Sequence, residues 1–171
     1  MLEGKATISS TRLGRLLGLT ASQVRKDFAN FGQFGYPGIG YRCEELIGEI
    51  KRILGTDRVW PVLIVGCGNL GQALLGYKGF QKQGFSLKAA FDVDPALIGS
   101  QFHGLPVQHL DKMPEIVERE AIQMAILAVP ASAAPEVADA LVKSGIVGVL
   151  NFAPVTLNLP KSVSVLSLIH I

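Results

Sequence analysis

The spacing of apolar residues near the start of the chain predicts two short helices separated by a tight turn. Leu13, Leu16 and Leu17 recur at the i, i+3, i+4 spacing of one helix face. The preceding pair Ser9–Ser10 is of the type that caps helix N-termini, and Gly18 is expected to end the first helix.

A second helix is predicted to begin after Thr20, because Thr20 and Gln23 fit the S/T-x-x-E/Q capping box. One face of this helix is apolar and consists of Ala21, Val24, Phe28 and Phe31. The opposite face is polar, basic and short-chained, and consists of Ser22, Arg25, Lys26, Ala29 and Asn30, with Gln23 at its edge. We therefore expect the first face to pack and the second to be exposed.

Two short helices joined by the turn Gly18–Leu19 match the helix-turn-helix unit, whose second helix enters the DNA major groove. Arg25 and Lys26 suit guanine edges or phosphates, and Gln23 suits adenine. Together with Ser22, these residues are the predicted DNA contacts of the helix. The alternative is a small helical hairpin that packs on a larger domain.

Residues 32–41 contain four glycines between aromatic positions. Such a segment is either a hairpin wing beside the second helix or a flexible connector. In the first case, Tyr36 and Tyr41 are further candidate DNA contacts. Residues 43–54 then show apolar positions at helical spacing and predict an amphipathic connecting helix that ends at Gly55.

The second part of the chain begins with an apolar run, Val62–Val65, that leads directly into a glycine-rich segment and a helix-forming segment. Strand, G-x-G-x-x-G and helix in this order are the fingerprint of a dinucleotide-binding domain. The first glycine allows a tight turn, the second lets the backbone approach a pyrophosphate, and the third lets helix and strand pack closely. The candidate cofactor-binding residues of this loop are Gly66, Cys67, Gly68, Asn69, Leu70 and Gly71.

A second apolar run ends in Asp92, which lies 21 positions after Gly71, where a carboxylate that binds the adenosine ribose is expected. The segment Val93–Pro95 that follows holds a second aspartate and no lysine or arginine, so a 2′-phosphate would meet two negative charges. NAD(H) is therefore favoured over NADP(H). The alternative is an α/β domain in which the glycine turn and the aspartate are only structural.

Apolar runs and helical segments continue to alternate, which predicts a mostly parallel sheet covered on both faces. The further expected elements are strands near Val107, over Met124–Val129 and over Ile146–Leu150, and a helix over Pro135–Lys143. Ligands bind beyond the carboxyl ends of such strands, so Val129, Pro130 and Phe152 are candidate cofactor contacts. Alternatively, Pro130 and Pro154 only end strands.

Charge is unevenly distributed along the 171 residues, whose formal net charge is +2. Residues 1–42 are +4 and residues 43–171 are −2. A basic N-terminal segment favours contact with a polyanion, although a solvated basic surface would have the same composition. The hydrophobic fraction of 49% and the charged fraction of 18% exclude a disordered chain.

The remaining residue types predict a protein without a metal or a catalytic centre. Cys43 and Cys67 form neither a disulfide framework nor a metal motif, and no stretch is apolar enough for an export signal or a membrane span, so we expect a cytoplasmic protein. His109 is the only candidate base, and there is no Tyr-x-x-x-Lys pair. We interpret His109 as structural and the protein as a nucleotide sensor rather than an enzyme.

The order of parts and the motifs resemble those of the Rex redox-sensing transcriptional repressors of bacteria, over about residues 8–165. The motifs that carry the resemblance are Thr20–Phe28, Gly38–Tyr41, Ile53–Gly55, Val65–Gly71, Tyr77 with Gly79–Phe80, Phe91–Pro95, Ala128–Pro130 and Asn151–Pro154. The resemblance implies a homodimer that binds double-stranded inverted-repeat operator DNA and releases it when NADH replaces NAD+. It also implies that Tyr77 lies near the nicotinamide.

Three departures from this family are apparent. The wing has Tyr36–Pro37 where the family usually carries Lys or Arg. The chain starts at Met1–Gly4, about one helix later than family members, and its tail Val165–Ile171 does not match the swapped C-terminal helix of the family. We therefore expect truncation at both ends, with NAD(H) binding retained and dimerisation and repression impaired.

The expected organisation is an N-terminal winged-helix DNA-binding domain over residues 1–41, incomplete at its start, a linker helix over 42–58, and an α/β Rossmann NAD(H)-binding domain with a mostly parallel sheet over 59–171. Two other functions remain open. One is a small NAD-dependent reductase without its substrate domain, and the other is a nucleotide-binding subunit without DNA affinity. Neither needs a basic recognition face.

Overall fold

The computed structural model describes residues 7–168. The chain divides into two compact units between Arg58 and Val59. Within the described residues, no helix is both long and apolar enough to cross a membrane. The expectations placed on Met1–Gly4 and on the last residues, Ile169–Ile171, lie outside the described part of the chain.

The N-terminal unit contains the two predicted helices. Helix α1 spans Ser10–Leu17, and the Ser9 side chain caps it by accepting a hydrogen bond from the Arg12 amide at 3.2 Å. Gly18 ends α1 in the left-handed conformation, with φ of 69°, which glycine adopts without a steric penalty. Helix α2 spans Ala21–Ala29, and the Thr20 hydroxyl accepts from the Gln23 amide at 3.1 Å, as the capping box predicts.

A small sheet closes this unit. Strand β1, Thr7–Ile8, pairs antiparallel with β2, Tyr41–Arg42, and helix α3 follows over Cys43–Ile53. The core of the unit consists of Ile8, Val24, Tyr41 and Leu46, with Leu13 and Phe28 packed against it. Because α3 contributes Leu46 to this core, the predicted linker helix is part of the N-terminal unit.

Three apolar residues at the predicted helical spacings are exposed in the structure. Leu16 and Leu17 point to solvent, Leu17 with 60% of its surface accessible, and Phe31 is exposed because α2 ends at Ala29, before the predicted stripe is complete. The apolar face predicted for α2 therefore packs at Val24 and Phe28, but the prediction continued the helix too far.

The C-terminal unit is a seven-stranded sheet of Rossmann type, which confirms the predicted fold class. Its strands are β3 Trp60–Val65, β4 Phe85–Asp92, β5 Gln101–Phe102, β6 Leu105–His109, β7 Met124–Leu127, β8 Gly148–Asn151 and β9 Ser164–Ser167. Their order is β5-β6-β4-β3-β7-β8-β9, and every neighbouring pair is parallel except β5 and β6. The helices are α4 Asn69–Leu75, α5 Gly79–Lys82, α6 Met113–Arg119 and α7 Ala134–Lys143, with a short 3-10 turn at Leu110–Lys112.

Side chains alternate across this sheet and bury both of its faces. In β3, Leu63 and Val65 pack with α6 and α7 on one face, whereas Val62 and Ile64 pack with Leu75 of α4 on the other. Continuous apolar strands are typical of such doubly covered parallel sheets.

Two strands of the C-terminal unit were not predicted. Strand β5 is a two-residue strand next to a tight turn, and β9 lies in the tail that matched no expectation. Val165 in β9 pairs in parallel register with Val149 in β8, so the tail continues the sheet. A four-residue strand with two apolar residues between two serines gives little local signal, and its neighbour β8 supplies the hydrogen bonds.

Candidate functional site

A cavity of about 1040 Å³ opens at the carboxyl ends of four parallel strands. Its walls come from the segments that follow β3, β4, β7 and β8. Parallel strands end with their polar backbone groups at the same edge of the sheet, which is where α/β proteins bind ligands. Among the predicted cofactor contacts, those that line this cavity are Gly66, Gly68, Asn69, Leu70, Asp92, Val129, Pro130 and Phe152.

The three motif glycines have different physical roles in this structure. Gly66 has a φ of 94°, and a Cβ there would overlap the Ala128 carbonyl at the end of β7. A Cβ on Gly71 would overlap the Gly66 carbonyl oxygen. A Cβ on Gly68 would meet no atom within 4 Å, so the fold itself does not require a glycine there. Gly68 instead lines the open cavity, where a Cβ would occupy space available to a ligand.

The carboxylate of Asp92 holds the glycine loop against the end of β4. One oxygen, Oδ2, accepts from the Cys67 amide at 2.7 Å. The other, Oδ1, accepts from the amides of Val93 at 2.7 Å and Asp94 at 2.9 Å. Asp92 therefore has two tasks that the sequence spacing did not separate: it fixes the loop, and it places negative charge at the rim of the cavity.

Cys67 does not present its thiol to the cavity. Its side chain is fully buried in the core on the α4 side of the sheet, and Sγ lies 3.5 Å from the Phe91 carbonyl oxygen, to which the thiol donates. Burial, with a smaller contribution from the negative charge of Asp92, raises the pKa of the Cys67 thiol to about 12. The thiol stays protonated at neutral pH, so Cys67 contributes its backbone amide to the loop rather than a reactive sulfur.

Tyr77 and Gly71 are the other predicted contacts that do not line the cavity. Gly71 supports the loop from behind by its packing on Gly66. Tyr77 is 61% exposed, packs edge-on against Phe80 at 5.3 Å between ring centroids, and lines a separate opening that includes His103. The position of Tyr77 near the nicotinamide therefore stays a prediction.

Several cavity residues lie outside every motif. The apolar ones are Leu97, Leu110, Met113, Val137 and Ala140, and the polar ones include Asp111, Glu136, Lys143 and Ser144. On a helix such as α7, apolar positions that line a cavity have the same spacing as core positions. Sequence periodicity therefore cannot distinguish them from core residues.

Asn151 is a buried polar residue that organises the far side of the cavity. Its side-chain oxygen accepts from the Ala153 amide at 2.9 Å, and its side-chain amide donates to the Val155 carbonyl at 2.8 Å and to the Ser167 hydroxyl at 3.2 Å. These bonds fix the turn that carries Phe152 and tie it to β9. The Asn151–Pro154 motif indicated this residue, but not its role.

His109 caps the 3-10 turn after β6. Its Nδ1 accepts a hydrogen bond from the Asp111 amide at 3.3 Å and lies 3.0 Å from the Asp111 carboxylate. This agrees with its interpretation as a structural residue. Among residues 7–168, no group of His, Cys, Asp and Glu side chains is arranged to hold a metal ion.

The N-terminal unit presents a second opening, of about 700 Å³, between α2 and the glycine-rich segment. Arg25 lines it, and Nη1 of Arg25 donates to the Ser10 hydroxyl at 3.0 Å. Ser22, Gln23 and Lys26 are exposed on the surface of α2. Within residues 7–168, no carboxylate forms a salt bridge with Arg25 or Lys26, so both charges are available to an anionic partner.

The glycine-rich segment forms an ordered turn rather than a flexible connector. The Tyr36 amide donates to the Gly40 carbonyl at 2.8 Å, and the Gly40 amide donates to the Tyr36 carbonyl at 3.0 Å. The Arg42 guanidinium lies 4.7 Å from the centre of the Tyr36 ring and 3.0 Å from Glu45, which also accepts from the Tyr36 hydroxyl at 3.3 Å. We call this turn, residues 32–41, the wing.

The two tyrosines predicted to contact DNA differ in the structure. Tyr36 is exposed and pairs with Gly40, beside the turn of the wing at residues 37–39. Tyr41 is only 6% exposed, and its ring packs edge-on against Phe28 at 5.1 Å between centroids. The prediction that Tyr41 contacts DNA is therefore wrong. Its ring is buried in the core of the unit and supports the wing.

Comparison with known protein families agrees with the two units. A profile described as a CoA binding domain matches residues 57–155, and a profile described as a putative DNA-binding protein N-terminus matches residues 1–29. The first covers the glycine loop, Asp92 and the strand ends. The second covers α1 and α2.

Curated relatives decide the family. The redox-sensing transcriptional repressor Rex of Carboxydothermus hydrogenoformans is 44% identical over 96% of this chain and 79% of its own length. This chain belongs to the Rex family of transcriptional repressors. The Rex protein of Streptomyces coelicolor is 43% identical over 93% of this chain but only 62% of its own length, so the chain spans less than two thirds of that relative. The relatives are repressors and not enzymes.

Solved structures of the Rex family show the same fold. A crystal structure of RSP in complex with β-NAD+ and operator DNA is 40% identical, with a TM-score of 0.84 over 95% of this chain and 75% of that one. A structure of RSP in complex with β-NADH has a TM-score of 0.76 over 96% of this chain and 76% of that one. RSP is described as a Rex-family repressor.

Proposed function

We propose that this Rex protein is a redox-sensing transcriptional repressor that binds operator DNA through α2 and the wing, and releases it when NADH binds in the cavity at the strand ends. The observation that carries the proposal is the presence, in one chain, of a helix-turn-helix and of a complete G-x-G-x-x-G loop held by Asp92. Arg25 and Lys26 of the helix-turn-helix form no salt bridge within residues 7–168. The solved relative RSP forms complexes with NAD+ and operator DNA and with NADH.

The cavity favours NAD(H) over NADP(H). Four carboxylates, those of Asp92, Asp94, Asp111 and Glu136, contribute to its lining, whereas Lys143 is the one lysine or arginine among the described lining residues. A 2′-phosphate next to Asp92 would meet like charge, and no arginine is placed to neutralise it. A ribose hydroxyl, in contrast, can donate to the remaining acceptor capacity of the Asp92 carboxylate.

The glycine loop would hold the pyrophosphate. Gly68 leaves open space at the cavity, and its neighbours Asn69 and Leu70 line the same wall. Val129, Pro130 and Phe152 line the same cavity at the ends of β7 and β8, where the nicotinamide would lie. Tyr77 lines a separate opening in this structure, so its side chain would approach the nicotinamide from outside the cavity.

The N-terminal unit would read DNA in two ways. Arg25 or Gln23 would contact base edges in the major groove, and Lys26 with Ser22 would contact the backbone. Tyr36 of the wing would contact the backbone or the minor groove beside it. An inverted-repeat operator requires two such heads, so we place the protein on DNA as a homodimer, in the cytoplasm, where NAD(H) and the chromosome share one compartment.

The test measures both ligands together. Operator duplex is selected with the protein from a pool of random-sequence DNA in the presence of NAD+, and binding is then followed by fluorescence anisotropy as NADH is added. We expect NADH to release the duplex while the same concentration of NAD+ does not. DNA binding that is identical with NADH and NAD+ would contradict the sensing role, and failure to select any duplex would contradict the repressor role.

A further inference from the structure

Ser10 and Arg25 join the two helices of the helix-turn-helix through their side chains. Nη1 of Arg25 donates to Oγ of Ser10 at 3.0 Å, across fifteen residues of sequence. We propose that Ser10 is a positioning residue that sets the direction of the Arg25 guanidinium for base reading. This inference rests on the proposed DNA-binding function and adds to it a residue outside the recognition helix.

The Ser10 hydroxyl is not required to cap its own helix. Helix α1 is capped by Ser9, whose side chain accepts from the Arg12 amide and whose carbonyl accepts from the Leu13 amide at 2.9 Å. Ser10 follows as the first helical residue, and its hydroxyl is left to accept from Arg25. Two adjacent serines therefore have separate tasks, one within α1 and one between α1 and α2.

The two residues that precede Ser10 pack against the start of β2 and the end of the wing. Ile8, two residues before Ser10, pairs with Tyr41 in the β1–β2 ladder and is buried in the core. Gly40 of the wing approaches so closely that a Cβ on it would lie 2.6 Å from the Ile8 carbonyl oxygen and 3.2 Å from the Ser9 Cα. The chain that leads into Ser10 is thus held close to the wing at Ile8 and Ser9.

A neutral anchor suits an arginine that must meet DNA. A guanidinium has five N–H donors, so a single bond to Ser10 leaves a pair free for the O6 and N7 acceptors of guanine. A carboxylate partner would neutralise the charge, whereas a hydroxyl orients the side chain and leaves its charge intact. Ordering a long side chain before binding also lowers the entropy lost on complex formation.

Both side chains face the opening between α2 and the wing, which Ser10, Arg25 and Gly40 all line. The contacts form a continuous path from the wing to Ile8, then along the chain to Ser10 and across to Arg25. The direction in which Arg25 points is therefore linked to the placement of the wing strand within the same unit.

The experiment uses the whole chain with NAD+ and the duplex that the wild-type protein selects from random-sequence DNA. Affinity is measured for this duplex and for a panel with each base pair of one half-site replaced. Arg25→Ala is expected to abolish discrimination at one base pair. Ser10→Ala is expected to weaken binding about 3- to 10-fold and to reduce discrimination at that same base pair. Ser10→Thr, which keeps the hydroxyl, is expected to retain the wild-type affinity and the discrimination at that base pair.

Ser9→Ala is the matched control, since it removes the α1 cap and leaves the Arg25 contact in place. It should lower the melting temperature without changing discrimination at the Arg25 base pair. In the Arg25→Ala background, Ser10→Ala should have no further effect, because the two residues act as one unit.

Several results would overturn the inference. Ser10→Ala that keeps full discrimination, an undiminished effect of Ser10→Ala in the Arg25→Ala background, or Ser9→Ala that reduces discrimination at the same base pair would each do so. If the wild-type protein selects no duplex, the proposed function fails first. If it selects one and only the Ser10 result is negative, the proposed function stands and the positioning role does not.

Discussion

Replacement of Gly68 by alanine separates cofactor binding from folding, because the structure needs glycine at Gly66 and Gly71 but not at Gly68. The added methyl group would touch no protein atom within 4 Å, and the backbone φ of −67° is ordinary for alanine. Its cost to stability is the weaker N-cap preference of alanine, up to about 1 kcal/mol. The methyl group would, however, stand in the cavity where the pyrophosphate approaches the backbone.

The expected magnitude follows from overpacking. Forcing a methyl group into an occupied contact costs about 1–3 kcal/mol, which corresponds to NADH affinity that is roughly 5- to 150-fold weaker. The assay is a titration that follows the fluorescence of bound NADH, paired with thermal unfolding by circular dichroism. Gly68→Ala should lose affinity while its melting temperature falls by no more than a few degrees.

Two control variants are measured alongside Gly68→Ala. Gly71→Ala should lower the melting temperature as well, because its Cβ would overlap the backbone carbonyl of Gly66. Gly48→Ala, in α3, also meets open space and should leave NADH binding as it is. If Gly68→Ala bound NADH as tightly as the wild type, the assignment of this loop to the pyrophosphate would be wrong.

Three further predictions follow from the described contacts. Wild-type protein should bind NADH at least about tenfold more tightly than NADPH, and Asp92→Arg should reverse the preference; equal affinities in the wild-type titration would contradict the role of Asp92. Lys26→Ala should weaken binding to all duplexes and reduce the salt dependence of the affinity, whereas Arg25→Ala should remove about 1–3 kcal/mol of discrimination at one base pair; binding by both variants like that of the wild type would refute the recognition-helix assignment. At pH 8, iodoacetamide should modify the half-buried Cys43 and spare Cys67, whose pKa is about 12, until the protein unfolds; mass spectrometry that finds folded Cys67 alkylated as fast as Cys43 would contradict its burial.

Local signals in the sequence were sufficient for several elements. The Thr20 capping box and the end of α1 at Gly18 each depend on atoms within a few residues, so their structures agree with the predictions. The apolar runs also predicted the parallel sheet. Successive residues of β3 point to opposite faces, so a continuous apolar strand needs cover on both faces, whichever elements supply it.

Burial of individual residues required knowledge of distant partners. Leu16 and Leu17 have the spacing of core residues and are exposed, whereas Tyr41, predicted at a DNA surface, is buried. Spacing identifies which residues share a face, but whether that face is covered depends on segments far away in sequence. Strand β9 shows the same limit, because its pairing with β8 cannot be inferred from four residues of its own.

The sequence by itself determined the glycine loop, the position of the Asp92 carboxylate and the order of helices and strands, because these depend on backbone conformation and short spacings. Only the tertiary structure decided what those groups contact: that Asp92 accepts the Cys67 amide of the glycine loop, that Asn151 ties its turn to β9, and that the Ser10 hydroxyl accepts from Arg25. Hydrogen bonds between residues many positions apart form only after the chain has folded, and their partners follow from the packing of whole elements rather than from any local pattern.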